Sequence, residues 1–369
     1  MKKLTVVQTL PALNAGGVER GTLEIGRALV AAGHRSIVIS SGGRLVAQLE
    51  AEGSEHITLP VHRKTLSSLW QVGAFRHIIQ DLQPDILHAR SRVPAWIAWL
   101  AWRKLAPNQR PHFVTTVHGL YSVNFYSAIM TKGEKVIAVS HTVKDYILKN
   151  YPHCPAERIQ VIYRGVSSQE FPYNYQPSAT WLAQWQQDYP QLQGKTVLTL
   201  PGRITRWKGQ REFIELIEQL VSKNYAVHGL IVGGAEAKKQ AYLEELKQLI
   251  AAKNLSAHIS LTGHRSDMRE IFSQSHLTYS LSTDPEAFGR TALEALYIGT
   301  PVIGWNHGGV GETLSNCYPQ GRVSFGDTDS LLAKTEQLLQ SPERPQPTNA
   351  LSLRLMCDST LAIYQQLVG

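Results

Sequence analysis

Apolar runs of strand length alternate with amphipathic segments of helix length in both halves of the chain, and this alternation constrains the fold most. It favours a parallel sheet covered by helices on both faces. The predicted strands are 4–10, 35–40, 85–89, 112–117, 135–140 and 159–163 in the first half, and 196–200, 226–232, 258–261, 277–281 and 301–305 in the second. We therefore predict an α/β chain with two doubly wound domains. Ligands of such sheets bind beyond the carboxyl ends of the strands, so we expect a site in an inter-domain cleft.

The alternation stops between residues 167 and 194, where Pro, Gln, Tyr and Trp dominate and no strand pattern survives. A chain of 369 residues has room for about two domains. The predicted organisation is an N-terminal domain over 1–170, a linker over 171–194, a C-terminal domain over 195–345 and a final helical segment over 346–369 that can pack back on the N-terminal domain.

The positive charge of the chain is concentrated in its first half. Residues 1–180 hold 20 Lys and Arg against 11 Asp and Glu, whereas residues 181–369 hold 17 against 18. A basic half suggests an anionic partner, such as nucleic acid, a membrane surface or a phosphorylated substrate. A basic surface that serves solubility alone is the alternative. No nucleic-acid-binding motif is present, so we do not expect nucleic acid.

The cysteines and the hydropathy pattern indicate where the protein works. Three cysteines lie far apart without metal-ligand spacing, which argues against disulfides and structural zinc and favours a reducing compartment. No run reaches the length of an uncharged membrane-spanning helix. The N-terminal MKKLTVVQTL is interpreted as a first strand rather than a signal peptide. We predict a cytoplasmic protein.

Paired glycines follow the first predicted strand, in the segment NAGGVER that contains Gly16 and Gly17. Glycines at a strand–helix junction let the backbone approach a ligand closely, and the start of the helix offers N–H groups to an anion. The segment matches neither GxGxxG nor a Walker motif. On its own it fits a tight turn equally well.

A second basic junction follows the first predicted strand of the C-terminal half, in GRITRWKG from Gly202 to Gly209. Arg203 and Lys208 stand five residues apart between a strand and a helix. An arginine can bind a phosphate with two hydrogen bonds, and a lysine adds a point charge. The pair therefore suits a diphosphate, although a solvated basic turn is the alternative.

The segment DPEAFGRTALE from Asp284 to Glu294 carries two carboxylates at another strand–helix junction. We expect Phe288, Gly289 and Arg290 to be the first helical residues, with backbone N–H groups facing phosphate or sugar oxygens. Glu294 falls among apolar residues of that helix, where an ionised carboxylate needs partners such as ribose hydroxyls. A carboxylate on the polar face of the helix is the alternative.

With these motifs in this order, the chain resembles the retaining glycosyltransferases of family 4, also called group 1, which have the GT-B fold of two Rossmann-like domains. The resemblance spans nearly the whole chain. Within the family, the chain looks most like the transferases that build the lipopolysaccharide core. The motifs that carry it are GGVE, GR-x4-KG, E-x7-E from Glu286 to Glu294, and GTPVIGWNHGGVGE.

The resemblance implies roles for individual residues. Gly16, Gly17, Arg203 and Lys208 would hold the diphosphate of a nucleotide-sugar, and Glu294 the ribose. Glu286 with the backbone from Ala287 through Phe288 and Gly289 to Arg290 would hold the donor sugar, and His118 would face that sugar. The catalytic residues expected from it are Glu286, His118, Arg203 and Lys208.

The expected reaction transfers a hexose-type sugar, with retention, to a glycan or lipid-linked acceptor of lipopolysaccharide core or other cell-envelope polysaccharide. No cofactor or metal is expected, because cations and helix-start amides can stabilise the departing diphosphate. The Asp327-Thr328-Asp329 sequence is interpreted as a helix cap rather than a metal site. A nucleotide-sugar 2-epimerase of GT-B fold and a non-catalytic sugar-binding protein are the alternative functions.

The acceptor is expected on the basic N-terminal domain. Arg90 and Arg92 follow a predicted strand and could bind an acidic group of the acceptor. The tryptophans of the next helix, Trp96, Trp99 and Trp102, suit either core packing or a membrane interface. We therefore expect peripheral contact with anionic lipid on the cytoplasmic face of the inner membrane.

Overall fold

The computed structural model describes residues 2–14, 16–62 and 68–369, which form two compact units. Residues 1–164 and 353–369 make the first unit, and residues 165–352 make the second. The strands are β1 (Thr5–Thr9), β2 (Arg35–Ser40), β3 (Glu55–Thr58), β4 (Ile86–Ala89), β5 (His112–Val117), β6 (Lys135–Ala138), β7 (Ile159–Val161), β8 (Thr196–Pro201), β9 (Val227–Val232), β10 (Ile259–Gly263), β11 (Leu277–Ser280), β12 (Val302–Trp305) and β13 (Arg322–Val323).

The helices lie between the strands as the alternation requires. They are α1 (Gly17–Ala31), α2 (Val46–Ala51), α3 (Ser68–Leu82), α4 (Arg92–Arg103), α5 (His141–Asn150), α6 (Ala179–Asp188), α7 (Gln210–Ser222), α8 (Gln240–Ala252), α9 (Met268–Ser273), α10 (Arg290–Ile298), α11 (Gly308–Cys317), α12 (Thr328–Gln340) and α13 (Leu353–Val368). Among the described residues, none of these helices has the length and apolar character needed to span a bilayer.

Each unit contains one parallel sheet, and the predicted α/β class with two Rossmann-like domains is confirmed. The strand orders are β3-β2-β1-β4-β5-β6-β7 and β10-β9-β8-β11-β12-β13. In each sheet, successive strands are added first on one side of the first strand and then on its other side. The order therefore reverses between β1 and β4 and between β8 and β11. Loops that leave these strand pairs meet at the topological switch point, where doubly wound sheets bind ligands.

Two strands were missed by the sequence analysis because they lack a buried apolar run. The edge strand β3 has no fully buried side chain, and β13 is two residues long. The interpretation of the DxD sequence as a cap is confirmed, because the Ser330 N–H donates to Asp327 Oδ1 over 2.9 Å at the start of α12.

The segment predicted as a linker, 171–194, is instead part of the second unit. It contains α6, whose Trp185 packs with Leu192 and with strand residues Val197 and Leu230. Trp181 and Trp185, one helical turn apart, stack with ring centroids 5.0 Å apart. Aromatic rings thus supply the buried face of a segment whose composition resembles a loop.

The last helix, α13, belongs to the first unit and starts at Leu353, not at the predicted boundary 346. Its apolar face packs under the first sheet, with Met356 and Tyr364 in the same cluster as Leu4 and Ile25. The Tyr364 hydroxyl also lies 2.6 Å from His88 Nδ1. The two ends of the chain therefore complete one core.

His228 of β9 makes the stability of the second unit depend on pH. Burial lowers its pKa to about 4, while its Nε2 lies 2.9 Å from Ser260 Oγ. The unfolded chain binds a proton below pH 6.5 that the folded chain does not, so stability falls as pH drops from 6.5 toward 4. We expect this histidine to contribute about 2 kcal/mol to the stability lost between pH 7 and pH 5.

Denaturant unfolding at the two pH values measures this contribution. His228→Asn should lose about 2 kcal/mol less than the wild type between pH 7 and pH 5. His264→Asn, at an exposed position after β10, is the control. Equal losses in the wild type and His228→Asn would contradict the assignment.

Candidate functional site

The loops that leave β8 and β11 meet at the switch point of the second unit, and they carry the chemistry predicted for it. Lys208 Nζ lies 2.9 Å from Glu286 Oε2, and both side chains are mostly buried. The ammonium also lies 4.4 Å from the centroid of the Trp207 ring. Ser282 donates a short hydrogen bond to the other Glu286 oxygen. The predicted phosphate cation and the predicted sugar-facing carboxylate are therefore direct partners.

Backbone contacts hold these two loops against each other. The Thr283 N–H donates to the Trp207 carbonyl over 2.8 Å. Gly209, just before α7, has φ +77°, and a Cβ there would collide with the Leu281 carbonyl. Glycine at this position permits both the left-handed backbone and the close approach. The position of Lys208 relative to Glu286 is consequently fixed by backbone packing as well as by charge.

Arg203, the second predicted phosphate cation, lies at the surface. Its Nη1 is 2.8 Å from Glu236 Oε1, and both side chains are mostly exposed. An exposed pair of this kind contributes little to stability, so the guanidinium can leave Glu236 for an anion at small cost. The structure brings Lys208 and Glu286 together but places Arg203 in a separate ion pair.

Glu294 lies inside the second unit, which excludes the alternative of a solvated carboxylate. Its Oε1 is 2.9 Å from Nε of Arg290, one turn earlier in α10, and both side chains are mostly buried. The helix begins at Arg290, so the prediction that Phe288 and Gly289 are helical is wrong. Gly289 takes the N-cap position, and the buried Phe288 ring anchors the segment before it.

Gly308 and Gly309 at the start of α11 support the same loop, a role that the sequence analysis missed. The Gly309 N–H donates to the Glu286 carbonyl over 2.7 Å. A Cβ on Gly309 would lie 2.5 Å from the Ala287 carbonyl oxygen, closer than real contacts allow. The HGGVGE sequence therefore lets α11 pack directly on the backbone of Glu286 and Ala287. Its paired glycines were the available signal.

The paired glycines of the first unit stand where predicted, between β1 and α1. Gly16 has φ +136°, and Gly17 is the first residue of α1, with open space where a Cβ would be. Arg164 Nη2 donates to the Gly17 carbonyl over 2.6 Å. This buried arginine, which the sequence analysis did not single out, fixes the start of the helix.

Arg90 does not reach the surface, so the structure contradicts its predicted contact with an acceptor. The side chain is 3% exposed, and Nη1 donates to Gln8 Oε1 of β1 over 2.9 Å. Burial lowers the pKa of its guanidinium. The last residues of β4 point this cation into the core, a direction that spacing alone does not give.

Arg92 is more accessible than Arg90 and stays a candidate. It is the first residue of α4, and its Nη1 donates to Ser127 Oγ over 3.2 Å. The guanidinium carbon lies 4.6 Å from the centroid of the Tyr121 ring and 5.2 Å from that of Tyr126. A cation held between aromatic rings can still offer its remaining N–H groups to an anion.

His118 follows β5 at the carboxyl edge of the first sheet. Its backbone N–H donates to the Tyr121 hydroxyl over 3.2 Å, and its buried Nε2 has no hydrogen-bond partner among the described residues. Burial, reinforced by Arg90 and Arg164, holds the pKa of the imidazole well below its usual value. His118 is therefore neutral at physiological pH and can accept or donate one further hydrogen bond.

Family models match both units of the chain. The model for Glycosyltransferase Family 4 matches residues 15–170, and the model for Glycosyl transferases group 1 matches residues 183–350. A glycosyltransferase from Rickettsia africae, whose crystal structure is known, has 31% sequence identity to this chain. The two structures superpose with a TM-score of 0.86 over 100% of this chain and 99% of that one.

Two more distant proteins extend the comparison. The capsular polysaccharide biosynthesis glycosyltransferase CapM of Staphylococcus aureus is 29% identical over 40% of this chain and 38% of its own length. Anabaena HepE, solved in complex with UDP-glucose, is 20% identical with a TM-score of 0.73, over 99% of this chain and 95% of that one. HepE shares the fold.

Proposed function

Because this chain belongs to the glycosyltransferases of the family 4 and group 1 type, we propose that it transfers a hexose-type sugar from a nucleoside-diphosphate sugar to a glycan or lipid-linked acceptor. We place the reaction in the synthesis of lipopolysaccharide core or another cell-envelope polysaccharide. CapM is named for the synthesis of one such polysaccharide, that of the capsule. The observation that carries the proposal is the ion pair of Lys208 and Glu286 at the switch point of the second unit, followed along the chain by the mostly buried pair of Arg290 and Glu294 at the start of α10.

The donor is assigned to the second unit. Lys208 and Arg203 bind the diphosphate, and Glu294 accepts hydrogen bonds from the ribose hydroxyls. Glu286 accepts from hydroxyls of the donor sugar, with the adjacent backbone from Ala287 to Arg290 around it. Lys208 faces Glu286 and Arg203 faces Glu236, so the phosphates of the donor compete with these carboxylates for the two cations.

The proposed reaction retains the anomeric configuration and needs no metal. The bond between the anomeric carbon and the diphosphate oxygen breaks, and the acceptor oxygen bonds to the same face of the sugar. The acceptor proton passes to the departing phosphate. Lys208 and Arg203 stabilise the negative charge that develops on that phosphate, which is the electrostatic work a metal does elsewhere.

The acceptor is assigned to the first unit. Arg92 is the cation proposed to bind an acidic group of the acceptor, whereas Arg90 is too deeply buried. Gly16 and Gly17 as diphosphate ligands and His118 as a contact of the donor sugar stay predictions. The neutral imidazole of His118 suits a hydroxyl better than a phosphate. We further propose contact with anionic lipid at the cytoplasmic face of the inner membrane.

Release of nucleoside diphosphate tests the reaction. Purified protein is incubated with UDP-sugars or GDP-sugars, with and without a lipid-linked or polysaccharide acceptor fraction. The proposal predicts release that depends on the acceptor, with labelled sugar appearing in the product. Conversion of the donor to an isomer without any acceptor would indicate an epimerase instead.

Glu294→Ala is expected to weaken binding of the matching nucleoside diphosphate about 10- to 100-fold, because two charge-assisted hydrogen bonds to ribose are lost. Isothermal titration calorimetry measures the dissociation constant. Glu244→Ala, on the exposed face of α8, is the matched control and should bind like the wild type. Unchanged affinity in Glu294→Ala would remove the ribose contact from the proposal.

A further inference from the structure

The first unit exposes large apolar side chains beside α4. Phe125 is 80% exposed and Val123 is 55% exposed, in the loop that follows β5. Trp96 and Trp99 of α4 are half-buried. We call Trp96, Trp99, Val123 and Phe125, together with Arg103, the aromatic surface.

Direct contacts join Trp96, Trp99, Phe125 and Arg103, and Val123 lies two residues before Phe125 in the same loop. The Trp96 ring centroid lies 5.1 Å from that of Phe125 and 5.6 Å from that of Trp99. Trp96 Nε1 donates to the Tyr126 carbonyl over 2.9 Å, which ties the loop to the helix. The exposed Phe125 ring is therefore presented from a fixed platform.

Trp102 differs from the other two tryptophans. Of the two alternatives, core packing and a membrane interface, it takes core packing. Its Nε1 donates to the Pro111 carbonyl over 2.7 Å, and its ring lies 6.0 Å from that of the buried Phe113. Trp102 consequently packs against the sheet. Trp99, one turn earlier, contacts the solvent-facing Arg103, and Trp96, two turns earlier, contacts the exposed loop.

The chain segment that carries the aromatic surface has charge of one sign. Between Asp85 and Glu134 the sequence contains no Asp or Glu, and it contains six cations. These are Arg90, Arg92, Arg103, Lys104, Arg110 and Lys132. Arg103, Lys104 and Lys132 are exposed, and the Arg103 guanidinium lies 4.7 Å from the centroid of the Trp99 ring.

We propose that the aromatic surface docks on a bilayer that contains anionic lipid. An exposed Phe ring beside half-buried Trp rings, flanked by Lys and Arg, suits a membrane interface. There, aromatic rings enter the boundary of the acyl chains and cations meet the phosphate headgroups. An acidic protein would satisfy the cations but gives no reason for a protruding Phe125. This proposal rests on the proposed function, because a lipid-linked acceptor lies in the membrane. It adds the surface through which the protein reaches that membrane.

Co-sedimentation with vesicles tests the proposal on the full chain. The wild type is expected to bind vesicles of phosphatidylcholine and phosphatidylglycerol at low salt, and to bind pure phosphatidylcholine vesicles much less. Phe125→Ser should lower the partition coefficient about tenfold, because one aromatic ring no longer enters the bilayer. Arg103→Gln combined with Lys104→Gln should also lower it about tenfold or more.

Two matched variants control for exposure and charge. Phe325→Ser removes a ring that is 52% exposed in the second unit, and Arg354→Gln removes an exposed charge on α13. Both should partition like the wild type. Equal partitioning of Phe125→Ser and the wild type would overturn the proposal, as would failure of the wild type to bind anionic vesicles.

Two further measurements separate this proposal from its rivals. Thermal shifts with nucleoside diphosphates should be the same in Phe125→Ser and the wild type, so a loss of donor binding in both would contradict the proposed function and leave membrane docking intact. A dimer in sedimentation velocity that dissociates in Phe125→Ser, without vesicle binding, would assign the surface to a second copy of the chain and overturn the membrane proposal.

Discussion

Lys208→Ala is expected to lower kcat/KM for the nucleotide-sugar at least about 100-fold, because a charge-assisted contact to the leaving diphosphate is lost. A second effect acts in the same direction. The substitution leaves the mostly buried Glu286 without the ammonium that lies 2.9 Å away, and this carboxylate would then repel the diphosphate. Steady-state kinetics and calorimetry with the nucleoside diphosphate should both register the loss.

Two variants show whether the Lys208 effect depends on its position. Lys208→Arg keeps the charge but spreads it over a planar group, so we expect it to recover part of the lost activity. Lys247→Ala removes an exposed lysine that pairs with Glu244 on α8, and it should behave like the wild type. Activity of Lys208→Ala close to that of the wild type would show that the diphosphate does not bind there.

Glu286→Gln is expected to lower kcat about 100-fold while the affinity for nucleoside diphosphate changes less than about threefold. The amide preserves the shape of the side chain but carries no negative charge toward the sugar ring, which becomes positive as the anomeric bond breaks. Loss of the ion pair also frees Lys208 for phosphate, so binding of the diphosphate should not weaken.

Separate measurement of kcat and of the dissociation constant distinguishes this role from a structural one. Glu245→Gln removes a carboxylate that pairs with Arg206 in the same unit, and it should alter neither quantity. An equal loss of diphosphate affinity and kcat in Glu286→Gln would indicate that Glu286 only holds the loop. Unchanged kcat would remove it from the reaction.

The sequence was sufficient for the fold class and for the segments that carry the site. Buried strands and amphipathic helices leave periodic patterns, and the glycines and charges of the site lie at predicted strand–helix junctions. Glu294 could be singled out because a carboxylate among apolar helical residues needs a partner, and the structure supplies one in Arg290.

Contacts between distant segments could not be predicted in this way. The ion pair of Lys208 and Glu286 joins residues 78 positions apart, and it exists because β8 and β11 are neighbours in the sheet. Sheet order depends on the packing of the whole unit rather than on any local pattern. The contact between the Gly309 N–H and the Glu286 carbonyl is of the same kind.

The direction of a single side chain was also beyond the sequence. Arg90 and Arg92 looked equivalent, yet Arg90 ends inside the unit on Gln8, while Arg92 starts a helix between two tyrosine rings. In the same way, the sequence of α6 resembles a linker, because its buried position is aromatic and its other positions are rich in glutamine. Burial of Trp185 depends on partners from β8 and β9.

Binding of a nucleoside diphosphate to the wild-type protein in EDTA tests the central claim most directly. A thermal-shift panel of UDP, GDP, ADP, CMP and their common sugar conjugates should show strong stabilisation by one nucleoside diphosphate and its sugar conjugates. A ligand at 100 times its dissociation constant adds about 2.7 kcal/mol of stability, which is readily detected. Stabilisation that disappears in EDTA would contradict the metal-independent site, and no stabilisation by any member of the panel would contradict the assignment of the donor to Lys208, Glu286 and Glu294.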